Sequence, residues 1–195
     1  MKFFLNTLVL LCVTSLFCQV SITNDIIPVD NSTTDYTLIN DFQGLDFDQE
    51  KSRISFDFIE EETSGTIGGL NFKVNFNPND IDNAVFKGTA MINTLDTNNF
   101  LRDGHLMWEK FFYKKKHPTI SFVSTQVVSF DVNTYKVIGN LIIKGIQKEV
   151  IITFSLDEKK LLGKTTIYTS DFGVSIHDER EKNKLDVRFY FPIIK

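Results

Sequence analysis

The stretch Leu185–Ile194, Leu-Asp-Val-Arg-Phe-Tyr-Phe-Pro-Ile-Ile, places Val187, Phe189, Phe191 and Ile193 on one side of an extended chain, with Arg188 and Tyr190 on the other. Side chains of a strand alternate between two faces, so this period of two reads as a strand with one face buried and one wet. The same period recurs upstream. Ser52–Glu60 aligns Ile54, Phe56 and Phe58. Thr66–Asn77 sets Phe72, Val74 and Phe76 against Asn71, Lys73, Asn75 and Asn77. Ala84–Thr97 groups Phe86, Gly88, Ala90 and Ile92, with Lys87, Thr89 and Asn93 opposite. Ile120–Phe130, Tyr135–Lys144, Glu149–Leu156 and Leu162–Thr169 read as further strands, and Tyr36–Asn40 as a short one ahead of them. The gaps are short and carry turn residues, as in Asp131-Val132-Asn133, Gly145-Ile146-Gln147 and Asp157-Glu158-Lys159. This predicts an all-β meander of antiparallel hairpins, about eight strands that close into a barrel or pair as a sandwich.

One stretch breaks the pattern. From Thr97 to Phe122 the apolar residues Phe100, Leu101, Leu106, Met107, Phe111 and Phe112 recur at mixed three-, four- and five-residue intervals, an apolar helical face interrupted at Gly104. Asn98 or Asn99 is placed to cap its start, and Asp103 to cap a second short helix from Gly104 to Tyr113. Lys114, Lys115 and Lys116 stand where positive charge favours a helix C-terminus, and Pro118 stops the helix. A helical insert near residues 98–116, between two strands, is expected to cover a barrel mouth or a sheet face.

Composition narrows the function classes. The chain has 195 residues, 42% of them hydrophobic, enough for one domain with a substantial core. Residues 1–18 read as a secretory signal: Lys2 gives a positive start, Leu5–Val13 an apolar run, and Ser15–Cys18 a cleavage zone. Bulky Phe17 disfavours lipidation at Cys18. Residues 19–35 read as a polar linker, and residues 36–195 as the domain. Cys12 and Cys18 both fall in the signal, so the expected mature chain has no thiol chemistry and no disulfide. Loss of Lys2 leaves 20 basic residues against 25 acidic ones, a net charge of −5. An acidic domain without a basic stripe argues against nucleic acid. The run Lys114–Lys116 reads as a solvated helix end, with a phosphate or anionic headgroup site as the sharper alternative.

The sequence carries no enzyme motif. It has no cysteine after residue 18 and no Gly-x-Ser-x-Gly elbow, and His105, His117 and His177 are too scattered for a local metal site. No catalytic residue, metal or cofactor is expected. Asp103 and His105 could form an acid–base pair, but Arg102, Asp103 and His105 read better as a polar cluster that pins the insert to a barrel rim. The loop Ile176–Lys184, rich in mixed charge, reads as exposed and mobile. Most of the nineteen Phe fill a β core, yet a small barrel with inward Phe and small Gly88 and Ala90 can also leave a lumen for one apolar ligand.

Several segments in order carry a resemblance: Ser52-x-Ile54-x-Phe56; the strand ending Phe-Asn-Pro-Asn-Asp80; Ile92-x-Thr94-x-Asp96-Thr97; Arg102-Asp103-x-His105-Leu106; Phe111-Phe112; and His117-Pro118-Thr119-Ile120-Ser121-Phe122. Gly139-Asn140-Leu141-x-Ile143-Lys144-Gly145, Lys148-x-Val150 and Asp171-Phe172-Gly173 follow. From Tyr36 to Ile194 the chain resembles the YceI-like family of secreted bacterial polyisoprenoid-binding proteins. The resemblance implies a lipocalin-like antiparallel β-barrel, often a homodimer, that holds an isoprenoid or other lipid tail in its lumen without catalysis. It also implies export to the periplasm or beyond, and transient membrane contact for ligand exchange. Arg102, Asp103 and His105 match the family signature beside the lumen, and Phe111, Phe112 and Phe122 its aromatic positions. The chain departs from the family at Lys51 and at Ile59 or Glu60, where a His is frequent, and at Thr169-Ser170, where an Arg commonly precedes Asp-Phe-Gly.

Alternation assigns the lumen to Phe56, Phe58, Phe72, Val74, Phe76, Ile92, Phe122, Leu141, Ile143, Phe154, Phe189 and Phe191. The insert, through Arg102, Asp103, His105, Leu106, Trp108, Phe111 and Phe112, is expected at the mouth. The competing reading is a filled-core barrel acting as a structural or protein-interaction module.

Overall fold

A computed structural model describes residues 44–194. The expected strand at Tyr36–Asn40, the signal and the linker lie outside the described residues. The alternating segments form β1 (Arg53–Phe58), β2 (Thr63–Ile67), β3 (Asn71–Asn75), β4 (Val85–Met91), β5 (Thr119–Asp131), β6 (Thr134–Ile143), β7 (Ile146–Asp157), β8 (Lys160–Tyr168) and β9 (Lys184–Pro192). One α-helix, α1 (Phe100–Leu106), stands between β4 and β5. Every strand pairing is antiparallel, in the order β2-β1-β9-β8-β7-β6-β5-β4-β3. The twist natural to such a sheet curls it into a lipocalin-like half-barrel. Across its seam, Thr66 bridges Asp96 and the Met91 amide donates to Gly68 O (3.1 Å). At the far end, the Leu45 amide donates to Phe76 O (3.2 Å) while Phe47 bridges Ile193.

The strand expected over Thr66–Asn77 is in fact two. Gly69 turns the chain between β2 and β3 at φ 59°, a backbone conformation that side-chain-bearing residues rarely adopt, and a β-carbon there would strike Met91. The strand expected to run on to Thr97 ends at Met91, where a 3-10 turn, Ile92–Thr94, begins. The β6–β7 hairpin closes through Lys144 (φ 51°) and Gly145 (φ 77°), a two-residue turn whose left-handed pair suits the strand twist.

The helical insert is shorter than its sequence suggests. Asn99 caps α1 by accepting the Arg102 amide (3.2 Å), and the helix passes through Gly104 without breaking. No second helix follows, and Asp103 caps none. Its Oδ1 accepts instead from the Thr97 amide (3.0 Å) and the Thr97 hydroxyl (2.6 Å), so it clamps the entry to α1. Beyond Leu106 the chain folds back on itself, with the Phe112 amide donating to Leu106 O (3.0 Å) and the Lys114 amide to Met107 O (3.1 Å). Lys114–Lys116 therefore sit in exposed turns and not on a helix end. The Lys144 ammonium straps this insert down, donating to Lys110 O (3.1 Å) and Gly173 O (2.8 Å).

The loop before β9 is also more ordered than its charge suggests. Asn183 is completely buried; its Oδ1 accepts from the amides of Ile176 (2.8 Å) and His177 (3.1 Å), and its Nδ2 donates to His177 O and Glu179 O (both 2.8 Å). One side chain thus satisfies four backbone groups that would otherwise compete for water.

The core has three clusters, the smallest of them Ile67, Ala90 and Ile92. Around Phe76, Phe86, Tyr135, Phe154, Leu161 and Phe191 an aromatic cluster fills the end of the barrel away from α1. At the α1 end Ile143, Ile167, Phe172 and Val174 pack with Phe111 and Phe112 of the insert.

Candidate functional site: an apolar cavity inside the barrel

Among these clusters, and lined by members of all three, lies a cavity of about 380 Å3, within the ~300–1,000 Å3 range of small-molecule sites. Of the twelve residues that alternation assigned to the lumen, Phe56, Phe58, Phe72, Val74, Phe122, Leu141, Ile143, Phe154, Phe189 and Phe191 line it. Phe76 and Ile92 do not. Phe76 lies wholly inside the aromatic cluster, edge-on to Tyr135 at 4.7 Å, and Ile92, which opens the 3-10 turn, is buried with Ile67 and Ala90. Period two gives the face a residue points to, but not its distance along the barrel axis.

The cavity stays open because of where the rings lie. Phe56 faces Gly65, and Phe154 faces Gly163, as direct cross-strand partners. A β-carbon on Gly65 would fall 2.5 Å from Phe56 Cζ, one on Gly139 2.5 Å from Phe122 Cζ, and one on Gly163 2.5 Å from Phe154 Cε1. Each ring therefore stands against a glycine of the neighbouring strand, in space that a side chain there would take. These glycines were not part of the sequence assignment. The signal that finds them is an inward-facing Gly opposite or diagonal to an inward Phe.

At the α1 end the lining turns polar. Glu61, Thr63, Thr97 and Arg102 join the wall there, and Glu61 and Arg102 are exposed, so this is where the cavity meets solvent. Arg102 donates from Nη1 to Thr63 Oγ1 (2.6 Å), which ties α1 to the start of β2. Leu106 and Phe112 also line the cavity. The other expected mouth residues do not. Asp103 is spent on Thr97, and Phe111 packs into the cluster around Phe172. Trp108, 60% exposed, lies tilted against His105 at 4.5 Å and does not line the cavity. Among the described residues no hydrogen bond or ion pair joins Asp103 to His105, so the geometry assembles no acid–base pair from them. No group of three or more metal-ligating side chains occurs among the described residues either.

Ahead of Asp171-Phe172-Gly173, Thr169 is buried on the cavity wall, and the Ser170 hydroxyl is buried with no hydrogen-bond partner among the described residues. Asp171 takes a guanidinium from elsewhere: Arg180 donates to it through Nε (2.8 Å) and Nη2 (2.7 Å) and stacks over Tyr168. That paired hydrogen bond holds the Asp171 carboxyl below the usual carboxylate range. His177 stacks on Phe58; its Nε2 comes within 2.8 Å of Glu61 Oε1, too poorly aligned for a hydrogen bond.

Comparison with known proteins is consistent with this architecture. A UPF0312 protein of Pectobacterium atrosepticum is 37% identical over 75 residues, which are 38% of this chain and 36% of that protein. The chain thus matches about a third of the length of that relative. The crystal structure of Burkholderia cenocepacia BcnA superposes with a TM-score of 0.68 at 21% identity, covering 75% of this chain and 99% of that one. A polyisoprenoid binding domain from Saccharophagus degradans, implicated in plant cell wall breakdown, gives 0.53 at 11% identity, covering 75% of this chain and 95% of that one. At such identities the shared feature is the fold. The sequence itself matches the family described as the YceI-like domain over residues 45–192, and the chain belongs to that family.

Proposed function

We propose that this protein is a non-catalytic carrier that holds the apolar tail of a lipid, isoprenoid-like or acyl, inside the barrel, and that the N-terminal segment exports it. The observation that carries this reading is the cavity: about 380 Å3 of space beside rings set against glycines, lined mostly by apolar side chains, with Glu61, Thr63, Thr97 and Arg102 at the α1 end and Lys87 and Thr89 of β4 among the few other polar ones. An apolar cavity of this kind holds no ordered water and gains about 25 cal/mol per Å2 of tail surface it buries, less the cost of ordering the tail. The name of the Saccharophagus domain, a polyisoprenoid binding domain of the same fold, supports the ligand class. Phe100 and Leu101, 82% and 60% exposed on α1 beside the opening, give a lipid a surface to cross when it enters from a bilayer.

Native mass spectrometry of the purified protein, followed by organic extraction, tests the reading. A stoichiometric apolar adduct that Phe122→Asp removes from a folded protein supports it. A clean ligand-free mass that persists after incubation with polyprenols, quinones and fatty acids overturns it in favour of an interaction module.

A further inference from the structure

The cavity ends where the aromatic cluster begins. Phe86, Phe154 and Phe191 belong to both: each lines the cavity and each is buried in the cluster. Phe86 stacks on Phe154 at 5.2 Å and tilts against Phe76 at 5.6 Å, and Phe154 stacks on Phe191 at 6.2 Å. Behind these rings Phe76, Val137 and Leu161 have no exposed surface at all. An interior packed to this degree offers a chain no path onward unless ring volume is removed.

Resting on the tail-binding reading above, we infer that the cavity is a length gauge: it takes about fifteen carbons of an apolar tail, with Phe86 and Phe154 as the stop. Benzene occupies an engineered cavity of about 150 Å3, or about 25 Å3 per carbon. On that scale about 380 Å3 accommodates about fifteen carbons, three isoprene units or an acyl chain of similar length. A longer chain enters to the same depth and leaves its remainder outside the α1 end. The carbons left outside bury nothing against the protein and add little affinity.

The test is the affinity of the full chain for geraniol, farnesol, geranylgeraniol and solanesol, read by displacement of bound anilinonaphthalenesulfonate. Farnesol is expected to bind at least ~10-fold more tightly than geraniol, because a further isoprene unit becomes buried. Geranylgeraniol and solanesol are expected within about threefold of farnesol, because their extra carbons stay in solvent. A further tenfold gain from farnesol to solanesol overturns the length limit and leaves tail binding standing. Failure of all four alcohols to bind overturns the tail-binding reading and the gauge together. In Phe86→Ala the stop recedes and the break moves to geranylgeraniol. Should that variant lack a cooperative thermal transition, Phe86→Leu makes the smaller opening in the same place. An unmoved break in a folded variant overturns the assignment of Phe86 as the stop.

Discussion

The Cζ atom of Phe122 lies 2.5 Å from the point where a β-carbon on Gly139 would stand, so ring and glycine occupy one position in the wall between them. The relationship determines whether the barrel is hollow. A side chain at Gly139 meets both that ring and the backbone oxygen of Val123, also at 2.5 Å, so the ring moves towards the axis, where the tail is proposed to lie, and the strand shifts with it. Gly139→Ala is therefore expected to weaken apolar ligand binding about tenfold while costing about 1–3 kcal/mol of stability from overpacking. Ligand titration and thermal melts on the same samples check both halves; unchanged affinity would place the tail elsewhere.

Asn183 gives a stability prediction remote from the cavity chemistry. Truncation to Ala leaves the amides of Ile176 and His177 and the carbonyls of His177 and Glu179 without their partner. With part of that loss made up by water, the cost is expected to be about 3 kcal/mol. Urea unfolding should show a lower midpoint with an unchanged slope. Asn183→Asp should be no better, because a carboxylate would then face two carbonyl oxygens.

The Asp171–Arg180 pair makes stability depend on acid. The Arg180 guanidinium lowers the folded-state pKa of Asp171 below its ordinary value of 3.8. The unfolded chain thus takes up this proton before the folded one does. The pair's contribution is present in full above the ordinary carboxylate pKa, and is lost as pH falls through the depressed folded value. Asp171→Asn should lower the melting temperature at neutral pH and shrink the further loss between about pH 4 and pH 2. Parallel pH–melting curves for the two proteins that keep a constant separation would show that the pair contributes nothing.

Trp108 is the sole tryptophan and a reporter of the insert. Because it is exposed, tilted against His105, and does not line the cavity, it should remain open to acrylamide quenching when a tail is bound. Protection of Trp108 on loading would mean that the insert closes over the ligand.

Much of this protein is legible in its residues. The period of two in Leu185–Ile194 and its upstream counterparts determines the antiparallel sheet, because only an extended chain sorts neighbours onto opposite faces. It also selects most of the cavity wall, including Phe56, Phe122 and Phe189. Tertiary structure decided what local pattern does not contain. Phe76 and Phe122 share the inward alternation, yet one is plug and the other wall, because depth along the axis depends on strand register and stagger. Asp103 clamps Thr97 instead of capping a helix, and Asn183 turns a charged loop into a hydrogen-bonded corner. Both depend on partners that reach them only once the chain has folded. Whether the phenylalanines of the barrel fill it or leave it hollow depends on glycines such as those beside Phe56, Phe122 and Phe154. That outcome is a property of pairs on neighbouring strands, and no single strand carries it.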